Sequence, residues 1–444
     1  MEAVPESFIC PISQEIMRDP YIDPEGNSYE KQKIMDWLSR NPVSPITRRP
    51  MVQTGLIPNR SLRTLIQEFL DRNPSLRTDE AKDEFSSSTA GALKRKPLIL
   101  YAIIDTSGSM GESCTEVSSG KEDDGFSRLD LVKHTLNTII TSLSAEDRIC
   151  IIKFSNTAEM VADLTFLTET NKISLMDRVQ RLLPDASTNL WDGLRVAFDQ
   201  MTTLSADDVE SANIAAFLLT DGRPNIHPPR PIVETVDNYI RKRVTNGVKP
   251  IIHTFGYGYD IDSDMLYSIS KQCHGFFGFI PDSSMVGTVF INSLSNCLVG
   301  RDPTLHSRVV DDATYKFVEV VSRFQRVTTG ESAMIDGIDS FIAAIKDEIN
   351  RQLALSEADK DVRGLSFLQG LLLDCEDNED PNLGQVFKAC STTYYKKWGK
   401  HYLYSVMSAF ENKVCINFKD KAMQRFKSEQ FLVEQERIED VFLG

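Results

Sequence analysis

Histidine is scarce in this 444-residue chain: there are six, and the first is His134. Cysteine is little better represented, with eight residues scattered from Cys10 to Cys415 and no Cys-x-x-Cys pair. A zinc scaffold needs Cys and His in paired spacings, and the first 100 residues offer Cys10 alone. Zinc is therefore excluded as what holds that stretch together. The scatter of cysteines suits reduced thiols better than a disulfide framework. A basic leader is missing too, since Glu2 and Glu6 stand where one would carry cations and no apolar core follows. No apolar run approaches the length of a membrane span. Together these absences predict a cytoplasmic protein, with the nucleus also open to it. Excess positive charge is also lacking, the net charge being −15. Residues 97–299 carry 16 Lys and Arg against 26 Asp and Glu, which argues against nucleic acid as a ligand there.

The length has room for two or three domains. Residues 1–75 are nearly neutral, with 9 basic against 10 acidic residues. Residues 76–96 read as a flexible linker: Asp79-Glu80-Ala81-Lys82-Asp83-Glu84, then Ser86-Ser87-Ser88, then Lys94-Arg95-Lys96. As a coil such a segment reaches roughly 25 Å. Lys82, Lys94 and Lys96 are candidate self-modification sites. No internal repeat is evident.

Asp105-Thr106-Ser107-Gly108-Ser109 is the most informative stretch of the middle region. It follows the apolar run Leu98–Ile104, which reads as a buried parallel strand. Ligands of open α/β sheets gather at the carboxyl ends of strands. A carboxylate and two hydroxyls on alternate residues supply hard oxygen ligands that Mg²⁺ accepts. Downstream, Thr188 precedes an amphipathic helix and Asp221 ends the run Ala215–Thr220. An aspartyl-nucleophile phosphotransferase would also use a strand-end Asp, but it needs a second acid two residues on, where Ser107 stands. Helical periodicity over Leu129–Leu143, Leu190–Met201 and Ile232–Arg243 alternates with apolar strands, including Ile149–Phe154. That alternation predicts a mostly parallel sheet with helices on both faces. Residues 111–125, rich in Ser, Gly, Glu and Asp, read as a solvated loop after the first motif.

These positions resemble the metal-ion-dependent adhesion site of von Willebrand factor type A (vWA) domains. The resemblance implies a vWA domain over 97–299, a doubly wound sheet flanked by helices. It implies Mg²⁺, or Mn²⁺ or Ca²⁺, held by Asp105, Ser107, Ser109, Thr188 and Asp221, with an open position that captures a partner's carboxylate. Ala186 departs from the glycine frequent in the family.

The N-terminal stretch holds Phe8-Ile9-Cys10-Pro11-Ile12-Ser13, Asp19-Pro20, Gly26-Asn27-Ser28-Tyr29-Glu30, Trp37-Leu38 and Ser44-Pro45-Ile46-Thr47-Arg48. Read from the residues, it is a compact α+β domain of two Pro-containing loops around a short helix, Glu30–Ser39. A second helix starts from Ser61 as N-cap. Without zinc, the loops must be held by groups such as Ser13, Glu15, Asp19, Ser28 and Glu30. Over residues 1–75 the chain resembles a U-box, a zinc-free relative of the RING. That resemblance implies recruitment of a ubiquitin-charged conjugating enzyme (E2) and ubiquitin transfer to a substrate lysine, with no thioester on this chain. It places Ile12, Gln14, Trp37, Pro45 and Arg48 at the E2, with Arg48 bridging E2 and ubiquitin and so acting as the catalytic residue.

Beyond residue 300 the sequence predicts a mainly helical region, 300–444. Helices are expected over Ser332–Leu355, Gly364–Leu373, Gly384–Tyr395 and Val433–Leu443, and a β-prone segment over Tyr315–Val321. His401 and Cys415 read as core. The region resembles the helical one that accompanies vWA domains in some RING and U-box proteins. Two functions are expected: a ubiquitin ligase whose vWA domain and tail bind substrate, or a vWA scaffold on which the U-box is a docking module.

Overall fold

Short antiparallel strands and one amphipathic helix organise the N-terminal stretch in the computed structural model. The described residues are 4–41, 43–49, 51, 56–59, 62–63, 65–66, 69–70, 95–113, 125–185, 187–300, 307–326, 331–356, 359–378, 380 and 383–443. They divide into two units, Met1–Lys94 and Arg95–Gly444. Of the predicted linker, Arg95 and Lys96 belong to the second unit: Arg95 pairs with buried Asp147 at 2.6 Å, and Lys96 Nζ donates to the Glu210 carbonyl at 2.8 Å. Lys82 and Lys94 lie outside the described residues.

In the first unit, β1 (Pro20–Ile22) lies between β2 (Ser28–Glu30) and β3 (Ile57–Pro58), both antiparallel to it. The helix α1 (Lys31–Arg40) leaves β2 without a loop. Leu62, Arg63, Leu65, Ile66, Phe69 and Leu70 are helical. The expected cap Ser61 is outside the described residues, and Asn59 fills the role: its Oδ1 accepts from the Leu62 N–H at 3.2 Å. A small core forms from Phe8, Cys10, Met17, Tyr29, Ile34, Ile66 and Phe69, with Phe8 edge-on to Phe69 at 5.5 Å.

The second unit is built on six strands: β4 (Leu98–Asp105), β5 (Arg148–Phe154), β6 (Ala158–Phe166), β7 (Asn213–Thr220), β8 (Ile252–Tyr257) and β9 (Phe277–Ile280). Their spatial order is β6-β5-β4-β7-β8-β9, parallel except for the hairpin strand β6. All eight residues of β4 are buried, as befits a central parallel strand covered on both faces. The order runs outward in both directions from β4 and β7, so the switch point falls between Asp105 and Asp221. Crevices for ligands arise there. The helices between the strands are α2 (Arg128–Ser142), α3 (Glu169–Gln180), α4 (Leu190–Met201), α5 (Ala206–Ser211), α6 (Ile232–Arg243) and α7 (Ser263–Gln272), and α8 (Ser283–Val299) follows β9.

The C-terminal region is helical: α9 (Arg308–Arg326), α10 (Glu331–Leu353), α11 (Val362–Cys375), α12 (Gln385–Cys390), α13 (Lys400–Asn412) and α14 (Glu429–Leu443). The β-prone segment Tyr315–Val321 is not a strand but part of α9. Val309, Val310, Ala313, Phe317 and Val321 are buried while Tyr315 is 71% exposed, a helical stripe whose packing overrides local β propensity. The helix expected over Gly384–Tyr395 is interrupted at Ser391, leaving Gln385–Cys390 and a single turn at Thr392–Tyr394, and a π-turn at Tyr395–Gly399 leads into α13. These helices share one compact unit with the sheet. Ser408 and Ser405 of α13 accept hydrogen bonds from the Phe277 and Phe279 N–H groups of edge strand β9, at 2.8 and 3.3 Å. Phe442 of α14 packs against Gly287 of α8 and meets His134 of α2 edge-on at 4.9 Å. No helix among the described residues is long and apolar enough to cross a membrane.

Candidate functional site

Two loops of the first unit are built alike. In one, Gln14 N–H donates to the Cys10 carbonyl at 2.9 Å and Cys10 N–H to the Glu15 carbonyl at 2.8 Å. In the other, Arg48 N–H donates to the Ser44 carbonyl at 3.1 Å and Ser44 N–H to the Arg49 carbonyl at 2.8 Å. The fifth residue of each is left-handed, Gln14 at φ 61° and Arg48 at φ 60°. Cys10-Pro11-Ile12-Ser13-Gln14 and Ser44-Pro45-Ile46-Thr47-Arg48 are thus a repeat in structure, and in residue type only over Pro-Ile-Ser and Pro-Ile-Thr, against the expectation that no repeat is evident. A strained αL residue in the same place of both loops aims Gln14 and Arg48 outward.

Polar groups hold these loops. Cys10 Sγ accepts from the Glu30 N–H at 3.3 Å, and Glu30 Oε2 accepts from Arg18 N–H at 2.7 Å and Asp19 N–H at 3.2 Å. Asp19 also faces Lys31 at 3.5 Å and Arg63 at 3.7 Å, while Ser28 Oγ accepts from Asn59 at 2.9 Å. Sequence reasoning missed the buried hub Asp23, whose Oδ1 accepts from Glu25 and Asn27 N–H at 2.9 and 2.8 Å and whose Oδ2 accepts from the Tyr29 hydroxyl at 3.2 Å. Burial, with Asp23 and Glu25 nearby, pushes the Tyr29 phenol up to about 12. Glu25 clasps the second loop through Thr47 at 2.6 Å and Arg49 at 3.0 Å.

Trp37 Nε1 donates to the Val43 carbonyl at 2.9 Å, tying α1 to the second loop. The Arg48 guanidinium stands over the Trp37 ring, 5.9 Å from its centroid. Ile12 and Trp37 are half-buried against the core, Pro45 is half-buried, and Gln14 and Arg48 are exposed. Ile46, at 49% exposure, adds an apolar group that sequence reasoning did not single out. One face therefore offers apolar side chains beside an aromatic-backed cation.

At the switch point of the second unit, Asp105 is fully buried. Its Oδ1 accepts from the Ser107 N–H at 2.8 Å and its Oδ2 from the Thr220 hydroxyl at 2.5 Å. Burial, and then the negative charge of Asp221, push the Asp105 carboxyl up to about 7 against those hydrogen bonds. The Ser107 and Ser109 hydroxyls lie 3.2 Å apart. Asp221 Oδ2 accepts from Arg128 Nη1 at 3.1 Å. Thr188 is buried on the neighbouring loop, and Asn225 fastens it: Oδ1 accepts from the Thr188 N–H at 2.9 Å, and the Asn225 N–H returns to the Thr188 carbonyl at 3.1 Å. Thr220, Asn225 and Arg128 were missed. Thr220 had a signal in directly preceding Asp221, whereas the other two are placed by tertiary contacts. Ala186 and residues 114–124 of the expected loop lie outside the described residues. Among the described residues no three His, Cys, Asp or Glu side chains cluster to hold a metal. The donor set is two carboxylates with hydroxyls, which suits a hard divalent cation and not zinc.

A family model described as U-box domain matches residues 4–75, and one described as von Willebrand factor type A domain matches residues 100–223. A third, VWA / Hh protein intein-like, matches residues 366–440. The chain carries an N-terminal U-box and a central vWA domain. U-box domain-containing protein 54 of Arabidopsis thaliana is 44% identical over 71 residues, 16% of this chain and 23% of that protein. E3 ubiquitin-protein ligase PUB24 of Arabidopsis thaliana is 44% identical over 71 residues, 16% of each chain. The likeness thus spans under a quarter of these relatives and is confined to the U-box. Among solved structures, a von Willebrand factor type A protein from Catenulispora acidiphila covers 44% of this chain and 41% of its own, at 20% identity and a TM-score of 0.34, too loose to carry an argument. The U-box holds Ile12, Gln14, Trp37, Pro45 and Arg48, and the vWA domain holds Asp105, Ser107, Ser109, Thr188 and Asp221.

Proposed function

We propose that this protein is a U-box E3 ubiquitin transferase, and that its vWA domain with the C-terminal helices binds substrate or partner through a divalent-metal site. The observation that carries the first part is the pair of twin loops flanking Trp37. They present Ile12, Pro45 and Ile46 as an apolar patch for the E2, with Gln14 and Arg48 at its polar margin. The Arg48 guanidinium, backed by the Trp37 ring, has a planar fork that can hold carbonyl groups of E2 and ubiquitin together. Holding the charged arm folded toward the incoming lysine is a positioning effect, with no proton transfer and no covalent intermediate on this chain.

For the second part, Asp105, Ser107, Ser109, Thr188 and Asp221 would hold Mg²⁺, Mn²⁺ or Ca²⁺, and the fit is supported by the buried acid pair and the facing hydroxyls. A bound divalent cation supplies an electrophilic position for a partner's carboxylate. The chain's own part is to fix the oxygens: the Thr220 hydroxyl orients Asp105, and Asn225 orients the Thr188 loop.

Self-ubiquitination with purified E1, a panel of E2s, ubiquitin and ATP tests the first part. Ladders from the native chain that vanish in Ile12→Ala and fall sharply in Arg48→Ala are the expected result. No ladder with any E2 from folded protein would favour the scaffold alternative, in which the U-box only docks. For the second part, Asp105→Ala should abolish Mg²⁺-dependent capture of the client, and unchanged capture and modification would sink it.

A further inference from the structure

One cation at the edge of the vWA site sits where helix electrostatics oppose it. Arg128 is the first residue of the 15-residue helix α2, and the positive end of the helix dipole disfavours an arginine there. Acceptors compensate. Its Nη1 lies 3.1 Å from Asp221 Oδ2, 3.1 Å from the Ser109 carbonyl and 3.5 Å from Glu112 Oε2. The Arg128 side chain is 13% exposed and that of Asp221 5%. Arg128 Nε is buried with no hydrogen-bond partner. Gly258, at φ +78°, lets its backbone approach the guanidinium: a Cβ there would stand 3.2 Å from Nε and 3.4 Å from Nη2. The guanidinium is thus seated in a slot between a strand-end acid and a glycine, not free in solvent.

We propose that Arg128 is a tethered cation that sets the charge of the Asp105–Asp221 site, lowering its affinity for divalent metal while favouring capture of an acidic side chain. The inference rests on the metal reading above and deepens it. Glu112, 68% exposed, is screened by solvent, so the count within the crevice is two buried carboxylates against one guanidinium, a single negative charge, and a divalent cation entering the site leaves it net positive. Without Arg128 the loaded site would be neutral and would attract a carboxylate less. The guanidinium also engages an oxygen of the acid that the metal would share. In a water-poor crevice such a charge acts strongly at short range. Arg128 is therefore a positioning residue for Asp221, and a determinant of which partner charge the site accepts.

Calorimetric titration of the full chain with Mn²⁺ tests this, using the native protein, Arg128→Gln, Arg128→Met, Arg128→Lys and Asp105→Ala. Arg128→Gln and Arg128→Met are expected to bind Mn²⁺ at least about tenfold more tightly, and Arg128→Lys within about threefold of native. Asp105→Ala should bind none. Arg128→Met keeps the test open should Arg128→Gln fail to fold. Equal Mn²⁺ affinity in the native protein and the two neutral variants overturns the inference while leaving the metal reading intact. Absence of Mn²⁺ binding in every folded variant overturns the metal reading, and this inference with it.

Discussion

Acidification should loosen the second unit through one imidazole. His401, on α13, is 8% exposed. Its Nε2 faces the Tyr259 carbonyl at 3.0 Å, and its Nδ1 meets the Ser263 hydroxyl. A neutral ring satisfies both contacts, donating from Nε2 and accepting at Nδ1. Burial, with the positive Lys400 and Arg223 nearby, lowers its pKa to about 4, against the opposing pull of the Tyr259 carbonyl and Asp260. The folded value is depressed, so between the unfolded value and 4 the unfolded chain holds a proton that the folded one does not. Stability is therefore full above about pH 6.5 and is lost as pH falls toward 4. The loss from this group is about 1.4 kcal/mol at pH 5.5 and about 3 kcal/mol once the folded ring titrates. Acid groups elsewhere also titrate, so the readout is a difference: urea unfolding of the native chain and of His401→Gln, followed by tryptophan fluorescence, at pH 7.5, 6.5, 5.5 and 4.5. Native stability should exceed that of the variant at pH 7.5, and the gap should shrink by these amounts. A gap that is constant with pH would refute the reasoning.

Asp23→Ala, by orphaning the Glu25 and Asn27 N–H groups, should cost the U-box about 3 kcal/mol. Calorimetry would show its transition falling while that of the second unit stays in place. Gly275→Ala would set a Cβ 1.9 Å from the Ile252 carbonyl, a backbone clash that no rotamer relieves, so this variant should be recovered misfolded by circular dichroism. Arg48→Lys keeps the charge but not the planar fork, and its self-ubiquitination ladder should drop about tenfold at unchanged melting temperature.

The strand-end motif and the helix patterns were legible because both are local. Leu98–Ile104, Leu190–Met201 and Ile232–Arg243 follow from apolar period and flanking residues; the structure keeps both helix bounds and carries the strand one residue further, to Asp105. The segment Tyr315–Val321 misled because β-branched and aromatic residues favour strands locally, whereas Phe317 meets Phe410 at 5.1 Å and Phe341 at 5.7 Å only once the helices pack. Arg128 was invisible because its partner Asp221 is 93 residues away. The twin loops escaped for another reason. Cys10 and Ser44 differ in type, as do Gln14 and Arg48, and their equivalence is carried by the same hydrogen bonds and the same left-handed residue. Asp23 reads in sequence as an ordinary turn acid, and only burial reveals it as the hub.

The C-terminal helices are better regarded as the cover of the sheet than as a domain beside it. β9 is an edge strand of apolar residues, Phe277-Gly278-Phe279-Ile280, and its outward N–H groups would template pairing with another chain. Ser408 and Ser405, three apart on α13, end that ladder. Asn412 Nδ2 donates to the Gly275 carbonyl at 3.0 Å, and Glu411 receives Tyr267 at 2.7 Å and Lys271 at 2.8 Å. A chain shortened to end at residue 300 would expose the β9 edge together with the face of α8 on which Phe442 sits. It should therefore elute as aggregate in size-exclusion chromatography. The double variant Ser405→Ala, Ser408→Ala keeps the apolar cover but leaves two buried N–H groups unpaired, at about 1–3 kcal/mol each. It should stay monomeric with a lowered melting temperature. A shortened chain that is monomeric and melts with the full chain would mean that the sheet needs no cover, and that 97–299 stands alone as a domain.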